Sequence, residues 1–129
     1  MESSNKNVSK LFMIWVLTDS KYGVLQYADN KKVIQDVADA IEQDMVTPVS
    51  EKKWAQLRKN ANAAIKLAFI NHTFRGHMAA YETAVYATRF TNYADTAASA
   101  CKAYSFENSE TEWLTEATNK INELFKNSK

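Results

Sequence analysis

The run Leu11-Phe12-Met13-Ile14-Trp15-Val16-Leu17 decides the fold. Taken alone, Phe12 through Val16 would suit a buried strand, because aromatic and branched side chains pack well on a sheet. In its surroundings, Leu11, Ile14, Trp15, Thr18, Tyr22 and Leu25 fall at helical spacing. No second stretch of the chain offers a strand to pair with it. The spacing therefore predicts a helix from about Ser9, a candidate N-cap, to about Ala28. Gly23 weakens that helix by about 1 kcal/mol. The apolar run is seven residues long, against the roughly 20 that a membrane-spanning helix needs. Thr18-Asp19-Ser20-Lys21 follows it, with no small-residue cleavage site of the kind that ends a secretory leader. A soluble, cytoplasmic protein with no membrane partner is expected.

Further along, Val33, Val37, Ile41 and Met45 repeat every four residues, while Asp36, Asp39, Glu42 and Asp44 fall mostly on the other side. This predicts an amphipathic helix over about Lys31–Met45, with Asn30 as N-cap and Thr47-Pro48 as its stop. A third helix is predicted to start after Ser50, another candidate N-cap, and to run to about Thr73, with Trp54, Leu57, Ala61, Ala64, Ile65 and Ala68 as its apolar stripe. Arg75-Gly76 reads as a break. The stretch from about His77 to Tyr104 holds nine alanines and reads as one long central helix, with Asn92-Tyr93 as a candidate kink. Ser109-Glu110-Thr111-Glu112 is a capping box, in which Ser109 and Glu112 are expected to satisfy each other's backbone donors. Trp113, Leu114, Ala117, Ile121, Leu124 and Phe125 then follow on one face.

The expected fold is all-α: a single compact bundle of about five helices over residues 1–129, with a long central alanine-rich helix and short connections between antiparallel neighbours. Composition agrees. Of 129 residues 46% are hydrophobic and 24% charged, and only two are glycine and one proline. A many-stranded β protein would need turn residues every 8–12 positions. Neither GxGxxG nor GxxxxGK can be written with Gly23 and Gly76, so glycine-rich phosphate loops are excluded.

Little in the sequence points to catalysis or to a cofactor. The two histidines, His72 and His77, are five residues apart rather than the four that bring two imidazoles to one zinc ion, and there is no HExxH or CxxC. Cys101 is the sole cysteine and lies in an alanine-rich stretch, where a small buried residue is the expected role. No serine stands in GxSxG or SxxK. No catalytic, cofactor or metal residue is assigned, and an enzyme is not expected.

Charge falls in blocks. Residues 29–49 carry five acids and two bases, residues 50–66 five bases and one acid, and residues 107–129 five acids and three bases. A basic helix packed between acidic ones is the plain structural reading. The functional reading is a signed face that steers a partner of opposite charge. The overall charge of +1 ranks nucleic-acid binding last. The expected partner-binding residues are the basic set Lys52, Lys53, Arg58 and Lys59, with His72, Phe74, Arg75 and His77 at the helix junction.

Three stretches carry a family resemblance: Trp15 to Tyr27 with Val33–Ile41, then Val49–Arg58 opening an alanine-bearing helix, then Arg75–Tyr81 continuing to Ala97–Tyr104, with Glu112-Trp113 opening the last helix. In order and spacing the chain resembles the small, alanine-rich, all-helical immunity proteins of bacterial polymorphic-toxin systems. The resemblance implies a cytoplasmic, non-catalytic protein that binds a cognate toxin domain and neutralises it. Two other functions share these features. One is a phage or mobile-element inhibitor of a host defence enzyme. The other is a helical enzyme or small-ligand bundle with Tyr81, Tyr86, Arg89 and Asp95 around an internal pocket.

Overall fold

The computed structural model describes residues 2–71, 75–89 and 93–127, with side chains described from residue 7 onward except at 72–75 and 90–93. Six α-helices and no strand occur among the described residues: α1 (Glu2–Thr18), α2 (Lys31–Asp44), α3 (Glu51–Ile70), α4 (Arg75–Ala87), α5 (Tyr93–Ser105) and α6 (Glu110–Asn127). The all-α class expected from the sequence is therefore present, with one helix more than the five expected. A short 3-10 helix, Val24–Tyr27, lies between α1 and α2.

The Leu11–Leu17 run is helical, and Phe12, Met13, Val16 and Leu17 are buried. The predicted first helix stops ten residues early, at Thr18. The Asp19 carboxylate accepts from the backbone N–H groups of Lys21 (3.1 Å) and Tyr22 (2.9 Å), a side-chain turn that competes with continued helix. Gly23 then closes the turn. A Cβ there would stand 2.4 Å from the Asp19 nitrogen, so close backbone approach, and not helix interior, is what this glycine serves.

The single long alanine-rich helix is not formed; it is two helices, α4 and α5, joined through residues 88–92. Thr88 ends α4. Its N–H and its hydroxyl both turn to the Val85 carbonyl (3.2 and 2.7 Å), and the Arg89 N–H goes to Tyr86 (3.0 Å), tightening the last turn. The break falls a few residues before the predicted kink at Asn92-Tyr93; Asn92 and the Tyr93 side chain lie outside the described residues. The two halves pack on each other more extensively than any other helix pair. Alanines at 79, 80, 84 and 87 on α4 and at 100 and 103 on α5 are buried, and their small side chains let the backbones approach closely. Gly76, read as part of a break, lies inside the first turn of α4.

The buried apolar residues form one cluster. At its heart Trp113 of α6 is 1% exposed, and its indole N–H donates to the Tyr22 carbonyl at 3.0 Å. Trp15 lies beside it with ring centroids 6.1 Å apart, and Phe12 and Tyr22 stack on Trp15. Burying a ring of this size contributes about 2–3 kcal/mol. On α6 only Trp113, Ala117 and Leu124 are buried. Leu114 and Phe125, expected on the same face, are exposed because each sits one residue beyond the buried stripe.

Candidate protein-docking face on α3

Two polar clusters hold helices together. Glu112 Oε1 accepts from the hydroxyls of Tyr104 (2.8 Å) and Tyr22 (3.2 Å), with Lys21 Nζ 3.5 Å away. The capping box is thus half built: the Glu112 N–H donates to Ser109 Oγ (3.3 Å), while the Glu112 carboxylate turns to α5 and the loop after α1. The Tyr104 hydrogen bond holds the Glu112 carboxyl below the usual range, and burial with Glu112 pushes the Tyr104 phenol up to about 12. In the second cluster the buried Tyr81 hydroxyl donates to Asp29 Oδ1 and accepts from the Asn30 N–H at 2.8 Å. Asn30 occupies the predicted cap position of α2, but its side chain makes no cap hydrogen bond. The Tyr81 bond, and then the nearby charge of His77, lower the Asp29 carboxyl, and burial pushes Tyr81 up to about 12. Tyr104 and Tyr81 thus stay protonated, and Glu112 and Asp29 ionised, through neutral pH. Both clusters fasten one element to another: Glu112 of α6 to Tyr104 of α5 and Tyr22, and Tyr81 of α4 to the turn before α2.

The groups proposed to line an internal pocket do not converge. Tyr81 is committed to Asp29 and Asn30, whereas Arg89 and Asp95 are exposed. Cys101 is buried, and desolvation raises its thiol pKa. Among the described residues no three His, Cys, Asp or Glu side chains are placed to hold a metal ion, and no helix is long and apolar enough to cross a membrane.

The remaining feature is the outer face of α3. Asp44 sets where this helix starts: its carboxylate accepts from the Val49 N–H (2.7 Å) and pairs with Lys10 of α1 (2.9 Å). Ser50 then caps α3, accepting from the Lys53 N–H at 3.1 Å as the sequence predicts. Trp54, Leu57, Ala61 and Ala68 are buried toward α4 and α2, the two helices against which α3 packs. The opposite face is bare. Leu67 and Ile70 are 59% and 61% exposed on it, while Phe69, 67% exposed, stands about 100° round the helix from Ile70. Lys52, Lys59, Lys66 and Ile70 share one line along this face, since positions seven and eleven apart nearly eclipse on a helix. None of Lys52, Lys53, Lys59 or Lys66 forms an ion pair with another described residue. A shallow groove of about 470 Å³ runs along the same line, bordered by Lys59, Asn62, Ala63, Lys66, Leu67 and Ile70.

The expected binding residues divide accordingly. Lys52 and Lys59 lie on the bare line, and Lys53 is exposed on its flank. Arg58 points away and bonds Glu51. His77 is half-buried beside Asp29. His72, Phe74 and the Arg75 side chain lie outside the described residues, although Arg75 itself opens α4. Lys66, Leu67 and Ile70, which border the groove, are absent from the expected set. The seven-residue recurrence of lysine at 52, 59 and 66 was the available signal.

A second groove, of about 610 Å³, lies between α5 and α6, with Cys101, Phe106, Trp113 and Leu114 among its walls. Comparison with family models, with the curated proteins and with the solved structures finds no match to this chain.

Proposed function

We propose that this chain is a non-catalytic protein-binding inhibitor, and that it docks through the bare face of α3. The observation that carries this reading is the exposure of Leu67 and Ile70 along one groove beside lysines with no ion-pair partner among the described residues. Exposed apolar groups clustered in this way mark interaction surfaces, and unpaired like charges around them select a partner of opposite sign. Neutralisation of a cognate toxin domain is the specific form of this role implied by the family resemblance.

The test is affinity capture from the native host's lysate with the tagged wild-type chain and with Lys59→Glu/Lys66→Glu, which changes only exposed side chains. One stoichiometric partner, retained by the wild type and lost by the variant, supports the reading. Equal capture by both overturns it. The α5–α6 groove supports a second reading as a small-ligand bundle, because about 610 Å³ is within the range of ligand pockets. A thermal upshift with an apolar ligand, abolished by Ala98→Trp, would favour that alternative.

A further inference from the structure

Resting on that reading, we infer that the partner docks with an acidic amphipathic helix whose carboxylates recur every seven residues, with apolar side chains between them. The spacing on α3 dictates this. Lys52, Lys59 and Lys66 are each two turns apart, or about 10 Å at 1.5 Å per residue. Gln56, Ala63 and Ile70 follow each lysine by four residues on the same line. Alternating steps of four and three along one helix form the seam that a second helix fits. Ala63 is exposed and lies in the groove between Lys59 and Lys66, leaving room for an apolar side chain from the partner.

Other occupants fit less well. The backbone groups of α3 are spent within the helix, so strand addition has nothing to bond. A phosphate backbone would meet the lysines but would leave Leu67 and Ile70 without an apolar complement. A second copy of this chain would have to offer α6, where Lys120 stands on the line between Glu116 and Glu123 and pairs with Glu123 at 3.7 Å, or its other acidic helix, α2. There Asp36, Asp39 and Glu42 are separated by Val37, Ala38, Ala40 and Ile41, none of which is on the exposed side.

The test uses the full chain, isotope-labelled, with two synthetic helical peptides of about 20 residues. The peptides share leucines at the intervening positions and differ only in carrying Glu or Lys every seventh residue. The Glu peptide is expected to shift amide signals of residues 52–70 at concentrations up to about 1 mM, and the Lys peptide to leave them unmoved. Lys59→Glu/Lys66→Glu is expected to reverse that preference. No shift with the Glu peptide, equal shifts with both, or shifts with a single-stranded RNA oligomer alone would overturn the inference. Partner capture that depends on Lys59 and Lys66 while the Glu peptide stays silent refutes the helix and leaves the docking face standing. Capture indifferent to those lysines refutes the face, whatever the peptides do.

Discussion

Tyr104 donates a 2.8 Å hydrogen bond to Glu112, eight residues on, and so ties α5 to α6 at the edge of the aromatic cluster. This bond makes stability depend on pH in a defined direction. The folded Glu112 carboxyl is held below its ordinary value of 4.5, so its contribution is present above that value and is lost as pH falls through the folded one. Glu112→Gln should therefore flatten the fall in melting temperature between about pH 5 and pH 3. An unchanged slope would show that the bond does not couple to folding.

The alkaline limb has the opposite sense. Tyr104 and Tyr81 are both raised to about 12. Their contributions are intact below the ordinary phenol value of about 10 and are lost as pH rises through the folded values. Melting temperature should decline above about pH 10, and Tyr81→Phe/Tyr104→Phe should decline less. Parallel curves would contradict this.

Tyr81→Phe at neutral pH leaves Asp29 without its phenol donor and takes one of two acceptors from the Asn30 N–H, which keeps Asp29 Oδ1 at 2.9 Å. The expected cost is about 1–3 kcal/mol, read from urea denaturation. Adding Asp29→Asn to Tyr81→Phe should cost less than Asp29→Asn alone, because the two residues share one bond. Strict additivity would separate them.

Gly23→Ala should destabilise, although alanine for glycine usually stabilises where the backbone allows it. The added Cβ would meet the Asp19 nitrogen at 2.4 Å and its carbonyl oxygen at 2.6 Å. A higher melting temperature for the variant would mean that the turn after α1 opens freely.

Trp113→Ala empties the centre of the aromatic cluster and strips the Tyr22 carbonyl of its indole donor. A loss of about 3–5 kcal/mol is expected. A cost below about 1 kcal/mol would show that α6 contributes little to the core.

Much of the fold is legible in periodicity. The stripes of α2 and α3 and the Ser50 cap follow from residue type and spacing, because one buried face and one local hydrogen bond settle them. The breaks are less legible. Thr88 and Asp19 end helices by turning side chains onto nearby backbone, in competition with an alanine-rich or apolar pattern that would otherwise continue. The Glu112 carboxylate leaves the capping box because Tyr22, far away in sequence, and Tyr104 of the preceding helix converge on it. Part of the proposed docking face, Lys52 and Lys59, is visible in the sequence as a basic block. Arg58 dropped out through its pairing with Glu51, and Ile70 entered only once the bare side of α3 was fixed by the packing of Trp54 and Leu57.

Hydrogen exchange on the chain with and without its captured partner tests the docking face most directly. Slower exchange across residues 59–70, with the α5–α6 groove around Cys101 and Leu114 unchanged, is the predicted result. Protection confined to that groove, with residues 59–70 unaffected, would contradict it.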